Sequence, residues 1–535
     1  MTAIFGTVLL MMAVLAAVAV AARRLKVAPS IVLVVAGVGV ALIPGLPAVS
    51  LAPELVLLVI LPPLIYSAGV SMSWREFRFN LRPISLLAFG CVLFTTCAIA
   101  AAAHYLLHFA WPVGFVLGAI VAPPDTVAPL AIARRIGLPR RLVVVLEGEG
   151  LANDATALIL YRFAVAVTAT GVFSPGQAAG TFALIVVGEI LWGIAVGWAS
   201  LKLRQWAHDP RVEITLSLMT PYVAFWAPEH LGGSGVLATV ACGLWVSWNG
   251  PRLISSATRL QGIFFWDLIV YLIEGFVFLL TGLQARALLD NSHAFQLSEI
   301  VIAIAVTTAI AIAARFIWVF PATYLPRCLI PHIATRDPAP AWQFPFFLSF
   351  TGVRGVVSLA AALAIPYVTA SGAAFPHREM ILFVTFGVII VTLVGQGAVL
   401  PAVARWLGLT GLGDQERRHE IKAELAGRQA ALKKVIDRLE DLVTDRKIPE
   451  DVITLLRTRN ESRQQILPSD RDDALDRLRL SAEIKKDLID AEREFIYQLL
   501  RDGKITDEAR RRIEYELDLE EASVANRGRD GGGWF

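Results

Sequence analysis

Charge is scarce in this sequence. Of 535 residues only 17% are Asp, Glu, Lys or Arg, against 56% hydrophobic, and a mean hydropathy of +0.62 excludes an ordinary soluble protein and points to a chain that crosses a membrane many times. Cysteine is nearly as rare. Cys91, Cys97, Cys242 and Cys328 each stand alone in an apolar stretch, without pairing or ligand spacing, so they read as small hydrophobes. No nucleophile, base and orienter grouping emerges, which argues against an enzyme, and no cofactor motif is present. A net charge of +3 calls for no nucleic acid.

The scarce charge is also unevenly spread, with more than half of it after Gly413. We therefore divide the chain into a membrane domain, 1–410, and a soluble helical domain, 411–535. The tail shows an amphipathic face of Leu425, Leu432, Ile436, Leu439 and Leu442. Pro449 and Pro468 mark breaks, and the glycine-rich end from Arg527 to Phe535 reads as disordered. Its role is regulatory or dimeric, or merely that of a solvated hairpin.

A spanning helix needs about 20 mostly apolar residues. Thirteen candidates follow, near 2–22, 28–44, 51–72, 84–108, 112–133, 142–168, 178–201, 212–230, 232–248, 262–284, 297–325, 343–368 and 379–406. The first has Arg23, Arg24 and Lys26 after it rather than before it, which suits a spanning helix better than a cleaved signal. Alternate loops collect the cations: Arg75, Arg78 and Arg82; Arg134, Arg135, Arg140 and Arg141; Lys202, Arg204 and Arg211; Arg252 and Arg259; Arg327 and Arg336. The opposite loops offer only Arg286 and Arg378. Positive loops stay inside, so the N-terminus is expected outside and the tail in the cytoplasm of a cell-membrane protein.

Against this apolar background a few ionisable groups stand at midplane depth, where they are costly and usually belong to an ion or proton pathway. Asp154 lies about 19 Å along its helix from Arg141, and Asp125 about 14 Å from Arg134. Arg315 and Arg354 reach a comparable depth. Backbone breakers coincide with them: Pro123, Pro124 and Pro129 surround Asp125, while Gly352 and Gly355 flank Arg354. Proline interrupts helices, and paired broken helices in two halves of a transporter mark its ion site. Spans five and twelve correspond if 1–6 and 8–13 are inverted repeats joined by span seven. Arg162, Glu189 and Glu274 read as structural or supporting groups, and His104 and His108 show no ligand spacing.

These residues resemble the cation:proton antiporter superfamily, in its sodium/proton exchanger branch. The likeness is carried in order by Leu61-Pro62-Pro63-Leu64-Ile65-Tyr66, Pro124-Asp125-Thr126-Val127-Ala128, Glu149-Gly150-Leu151-Ala152-Asn153-Asp154, Phe278-Leu279-Leu280-Thr281-Gly282-Leu283, Gly352-Val353-Arg354-Gly355-Val356-Val357-Ser358-Leu359 and Gln396-Gly397. The tail segment Glu516-Leu517-Asp518-Leu519-Glu520-Glu521 adds to it.

The resemblance implies exchange of a monovalent cation, usually Na⁺, for H⁺ by alternating access in a homodimer. Asp154 and Asp125 would bind the cation, with Asn153 and Thr126 beside them. Asn153 marks the electroneutral branch, since its amide never titrates. Glu149 and Arg315 would form a structural pair, and Arg354 would stand in the second broken helix. Gly150, Pro124 and Ser67 depart from the commoner pattern, which leaves Na⁺, K⁺ and Li⁺ open. A K⁺/H⁺ antiporter is the nearest alternative; a channel or a membrane sensor on the same scaffold is more remote.

Overall fold

The apolar runs fold as helices, because a chain in hydrocarbon must satisfy every backbone N–H and C=O within itself. The computed structural model describes residues 2–25, 27–43, 51–171, 174–290, 295–369, 372–445, 449–466 and 472–528. Lys26, Pro468 and the end of the chain from 529, read above as a loop cation, a helix break and part of a disordered end, lie outside them. The described residues form two compact units, Met1–Gly413 and Asp414–Phe535.

The first unit is an all-helical polytopic membrane bundle. Thirteen segments appear among its described residues: Thr2–Leu25, Pro29–Ala41, Leu55–Ser71, Leu81–Leu106, Trp111–Val121 with Val127–Ile136, Arg140–Thr170, Pro175–Ala207, Pro210–His230, Val236–Leu253, Ser256–Asp290, Leu297–Leu329, Gln343–Phe350 with Val356–Leu363, and Arg378–Trp406. Five of them are long and apolar enough to cross a bilayer on length and composition alone. The fifth and twelfth are the interrupted ones, seven places apart, as two six-segment repeats joined by the seventh require.

Without a hydrophobic driving force between helices, close packing comes from small residues. Pro29–Ala41 lies against Ser256–Asp290, and a Cβ on Gly37 would stand 2.9 Å from the Gly282 Cα and run into the Leu279 carbonyl. Backbone thus touches backbone. Within three segments the helix loosens into a π-helical turn, at Leu55–Ile60, Leu86–Cys91 and Val391–Gln396, a feature that often accompanies function. The turn in the last segment meets the twelfth: Arg354 N–H donates to Thr392 Oγ1 (3.0 Å), whose own hydroxyl donates to the Val388 carbonyl (2.8 Å).

Several charges expected within the membrane are tied up locally. Glu189 is buried and accepts from Ser234 N (2.5 Å), Gly235 N (3.0 Å) and Leu237 N (3.0 Å), so it caps the start of Val236–Leu253, where backbone donors lack helical partners. Arg162 pairs with Glu229 of the eighth segment. Cys91 and Cys242 are buried, whereas Cys97 and Cys328 are exposed at the bundle surface.

The second unit is helical in Glu450–Ile466, Asp472–Arg501 and Asp507–Gly528. Leu432 and Leu439 are buried. The last two helices pack together, and Arg493 bridges to Asp518 (2.5 Å) and Glu521 (2.6 Å).

Candidate functional site

The prolines and glycines break two helices at the same place. The fifth segment stops at Val121 and restarts at Val127; the twelfth stops at Phe350 and restarts at Val356. The two breaks are joined directly, since Asp125 N–H donates to the Val353 carbonyl (2.7 Å).

Four half-helix ends now lie inside the bundle, each carrying orphan backbone groups and the partial charge of its dipole. Positive side chains meet the two C-terminal ends. Arg354 Nε donates to the Val121 carbonyl (2.9 Å), and its Nη1 donates to the Gly352 carbonyl; Arg315 Nε donates to the Leu348 carbonyl (2.9 Å). A negative side chain meets the N-terminal ends. Asp125 Oδ1 accepts from Val127 N (2.9 Å), and the Asp125 carboxylate fills the space into which a Cβ on Gly355, at the head of Val356–Leu363, would project. Gly355 is therefore glycine because Asp125 approaches it.

Glu149 and Arg315 form a two-pronged ion pair (2.5 and 2.7 Å) between the sixth and eleventh segments. Both are essentially buried, at 0% and 2% exposure. Such a pair is costly to break because either charge alone would be left desolvated. Arg354 is also buried, and its contacts are with backbone carbonyls rather than with a carboxylate. Its partners were invisible in the spacing of side chains; only the proline and glycine breaks hinted at free carbonyls.

Asn153 connects the sixth segment to the first break. Its Nδ2 donates to the Pro124 carbonyl (2.6 Å), while its Oδ1 is buried without a donor. Next to it Asp154 remains partly accessible, as do Asp125 and Thr126, within a bundle whose neighbouring positions are buried. Asp154 and Asp125 are near enough for their charges to repel. Thr126 packs on the sixth segment at Gly150, where its hydroxyl occupies the position of the absent side chain. Thr126 also heads Val127–Ile136 without using that hydroxyl as a cap.

Asp154, Asn153 and Thr126 thus gather their oxygens where two helices are broken, and of these Asn153 Oδ1 is buried without a donor among the described residues. Buried polar atoms are nearly always satisfied, so Asn153 Oδ1 calls for a partner beside the partly accessible Asp154 and Thr126. Hard oxygen donors of this kind suit a hard cation. Glu274 of the tenth segment is half-buried and close enough to Asp125 to feel its charge. Glu147 is held by Arg134 (3.0 Å) at the far end of the half-helix.

Comparison with known proteins identifies the family. Residues 10–406 match the family model described as sodium/hydrogen exchanger, transmembrane. The chain is 33% identical to an uncharacterized Na⁺/H⁺ exchanger of Mycobacterium tuberculosis over 97% of this chain and 96% of that one. It is 32% identical to a sodium, potassium, lithium and rubidium/H⁺ antiporter of Bacillus pumilus, over 75% of this chain and 61% of that protein. Among solved structures, the sodium proton antiporter MjNhaP1 of Methanocaldococcus jannaschii superposes with a TM-score of 0.61 at 19% identity, covering 76% of this chain and 98% of its own; that likeness bears on the fold. The chain is a cation/proton antiporter, not an enzyme, and belongs to the sodium/hydrogen exchanger family.

Proposed function

We propose that the protein exchanges Na⁺ for H⁺ one for one, by alternating access around the two broken helices, and that Asp154 is the group both ions share. The observation that carries this reading is the buried, donorless Asn153 Oδ1 beside the partly accessible oxygens of Asp154, Thr126 and Asp125. A proton and a cation compete for one carboxylate, and coupling needs nothing further if the protein reorients only when that carboxylate is occupied. Asn153 keeps the exchange electroneutral because it adds ligands without adding a titrating charge.

In this reading Asp125 has a second task, holding the N-terminal ends of both returning half-helices. Glu149 and Arg315 fix the core, and Arg354 neutralises the carbonyl ends opposite. Residues 1–410 transport, and 411–535 form a cytoplasmic helical domain; the arginine-rich loops support an N-terminus outside and a tail inside. The active form is a homodimer in the cell membrane, serving pH homeostasis. A broader selectivity, K⁺ and Li⁺ included, has support of its own: the Bacillus pumilus relative is named for four alkali cations, and Thr126 rather than residue 150 supplies the hydroxyl.

The test is reconstitution into vesicles with a trapped pH dye, driven in turn by Na⁺, K⁺ and Li⁺ gradients, with and without a clamped membrane potential. One-for-one exchange gives rates that ignore the potential. Rates that follow the potential contradict it.

A further inference from the structure

A second cluster of charge lies away from the broken helices. Arg82, near the start of Leu81–Leu106, Arg141, near the start of Arg140–Thr170, and Arg327, near the end of Leu297–Leu329, all donate to Asp337, at 2.6, 2.7 and 2.7 Å. Three guanidiniums thus share one carboxylate, an excess of positive charge at three helix ends that together mark the membrane surface. Arg327 is committed: its remaining nitrogens donate to the Asp337 and Thr323 carbonyls. Arg82 and Arg141 are not. Their side chains are 28% and 33% exposed, and beyond Asp337 the only partner of either among the described residues is Asn80, which accepts from Arg141 Nε (3.2 Å).

The same three arginines line a partly open cleft of about 50 Å³. Below them its wall turns apolar, with Leu86, Leu142, Val145, Val319, Ala322 and Phe344. From Arg327 to Val319 this wall descends about 12 Å along the helix. A donor-rich, positively charged mouth above a greasy slot between membrane helices complements one molecule class in particular: a phosphate esterified to acyl chains. A free anion would use the mouth and leave the slot without purpose.

The geometry points to a binding site for an anionic phospholipid, with its phosphate on Arg82 and Arg141 and the first methylenes of one acyl chain entering the cleft. Asp337 lies in the connection that leads from the eleventh segment to the broken twelfth. This site is independent of which cation the antiporter carries.

The full-length protein in neutral detergent, offered phosphatidylglycerol, phosphatidylcholine or inorganic phosphate, tests it by quantifying retained lipid and phosphate. Phosphatidylglycerol is retained and phosphatidylcholine is not. The double variant Arg82→Gln/Arg141→Gln, which leaves the Arg327–Asp337 pair in place, weakens phosphatidylglycerol binding on the order of 30-fold, since each cation near an anionic headgroup contributes about fivefold. Ala322→Trp fills the slot without altering charge; it lowers phosphatidylglycerol binding and leaves inorganic phosphate binding unchanged. Each variant is compared at wild-type melting behaviour, and where the double variant fails to fold, Ala322→Trp decides. Equal retention of phosphatidylglycerol by the variants, or displacement of the lipid by inorganic phosphate with Ala322→Trp behaving as wild type, overturns the assignment.

Discussion

The hydroxyl of Thr126 stands where a side chain on residue 150 would project. Gly150 left the sixth segment without a hydroxyl four residues before Asp154, yet the chain returns a hydroxyl to the same place from the neighbouring break. The two positions are therefore one feature, and substitutions there must be read together.

Gly150→Ser is expected to displace Thr126, because its Cβ and the Thr126 side chain cannot both be accommodated; overpacking of this kind costs about 1–3 kcal/mol. The single variant loses transport and melts lower in detergent. Combining it with Thr126→Ala removes the contacts with Oγ1 and Cγ2, leaving only the residue-126 Cβ at 2.9 Å, while keeping one hydroxyl, and transport returns in part. Initial rates of Na⁺-driven proton flux check both statements.

The Glu149–Arg315 pair makes a different prediction. Glu149→Gln leaves a buried guanidinium without its carboxylate, a loss on the order of 3–5 kcal/mol, and Arg315→Met strands the carboxylate in the same way. Glu149→Gln/Arg315→Met removes both charges. Its melting temperature is expected to lie above that of either single variant, as a double-mutant cycle by thermal unfolding will show.

Packing of the second segment on the tenth supplies a control unrelated to charge. Gly282→Ala places a Cβ against the Val34 carbonyl and 2.8 Å from the Gly37 Cα, where only backbone stands. The variant is expected to lose stability by about 1–3 kcal/mol. In the fraction that stays folded, the preference among Na⁺, K⁺ and Li⁺ is unchanged.

Competition at one carboxylate fixes the pH dependence. Protons occupy the site at low pH and exclude the cation, so the apparent KM for Na⁺ falls as pH rises, by about tenfold per unit on the acid limb, and then levels once the carboxylate is deprotonated. KM measured across pH at fixed gradient tests the sign. A KM that rises with pH contradicts a shared site.

Hydropathy and breaker residues made the bundle legible before its structure. Pro123, Pro124 and Gly352 locate both interruptions because their effect on a helix is local and needs no partner. What stayed hidden depends on atoms far apart in sequence. Arg82, Arg141 and Arg327 converge on Asp337 only through three helix ends, and the carbonyls that receive Arg354 have no side-chain signature. Arg162 carried no sign of Glu229. The hydroxyl exchange between Gly150 and Thr126 was hidden for the same reason, as it requires the break to fold back onto the sixth segment. The π-helical turns follow from packing rather than composition.

The account turns on Asp154. Asp154→Asn keeps the size and hydrogen-bonding capacity of the side chain but cannot exchange a proton for a cation, so reconstituted vesicles carrying it should give no Na⁺-driven pH signal while the purified protein melts as the wild type does. A pH signal that persists in Asp154→Asn vesicles at equal protein content contradicts the central claim.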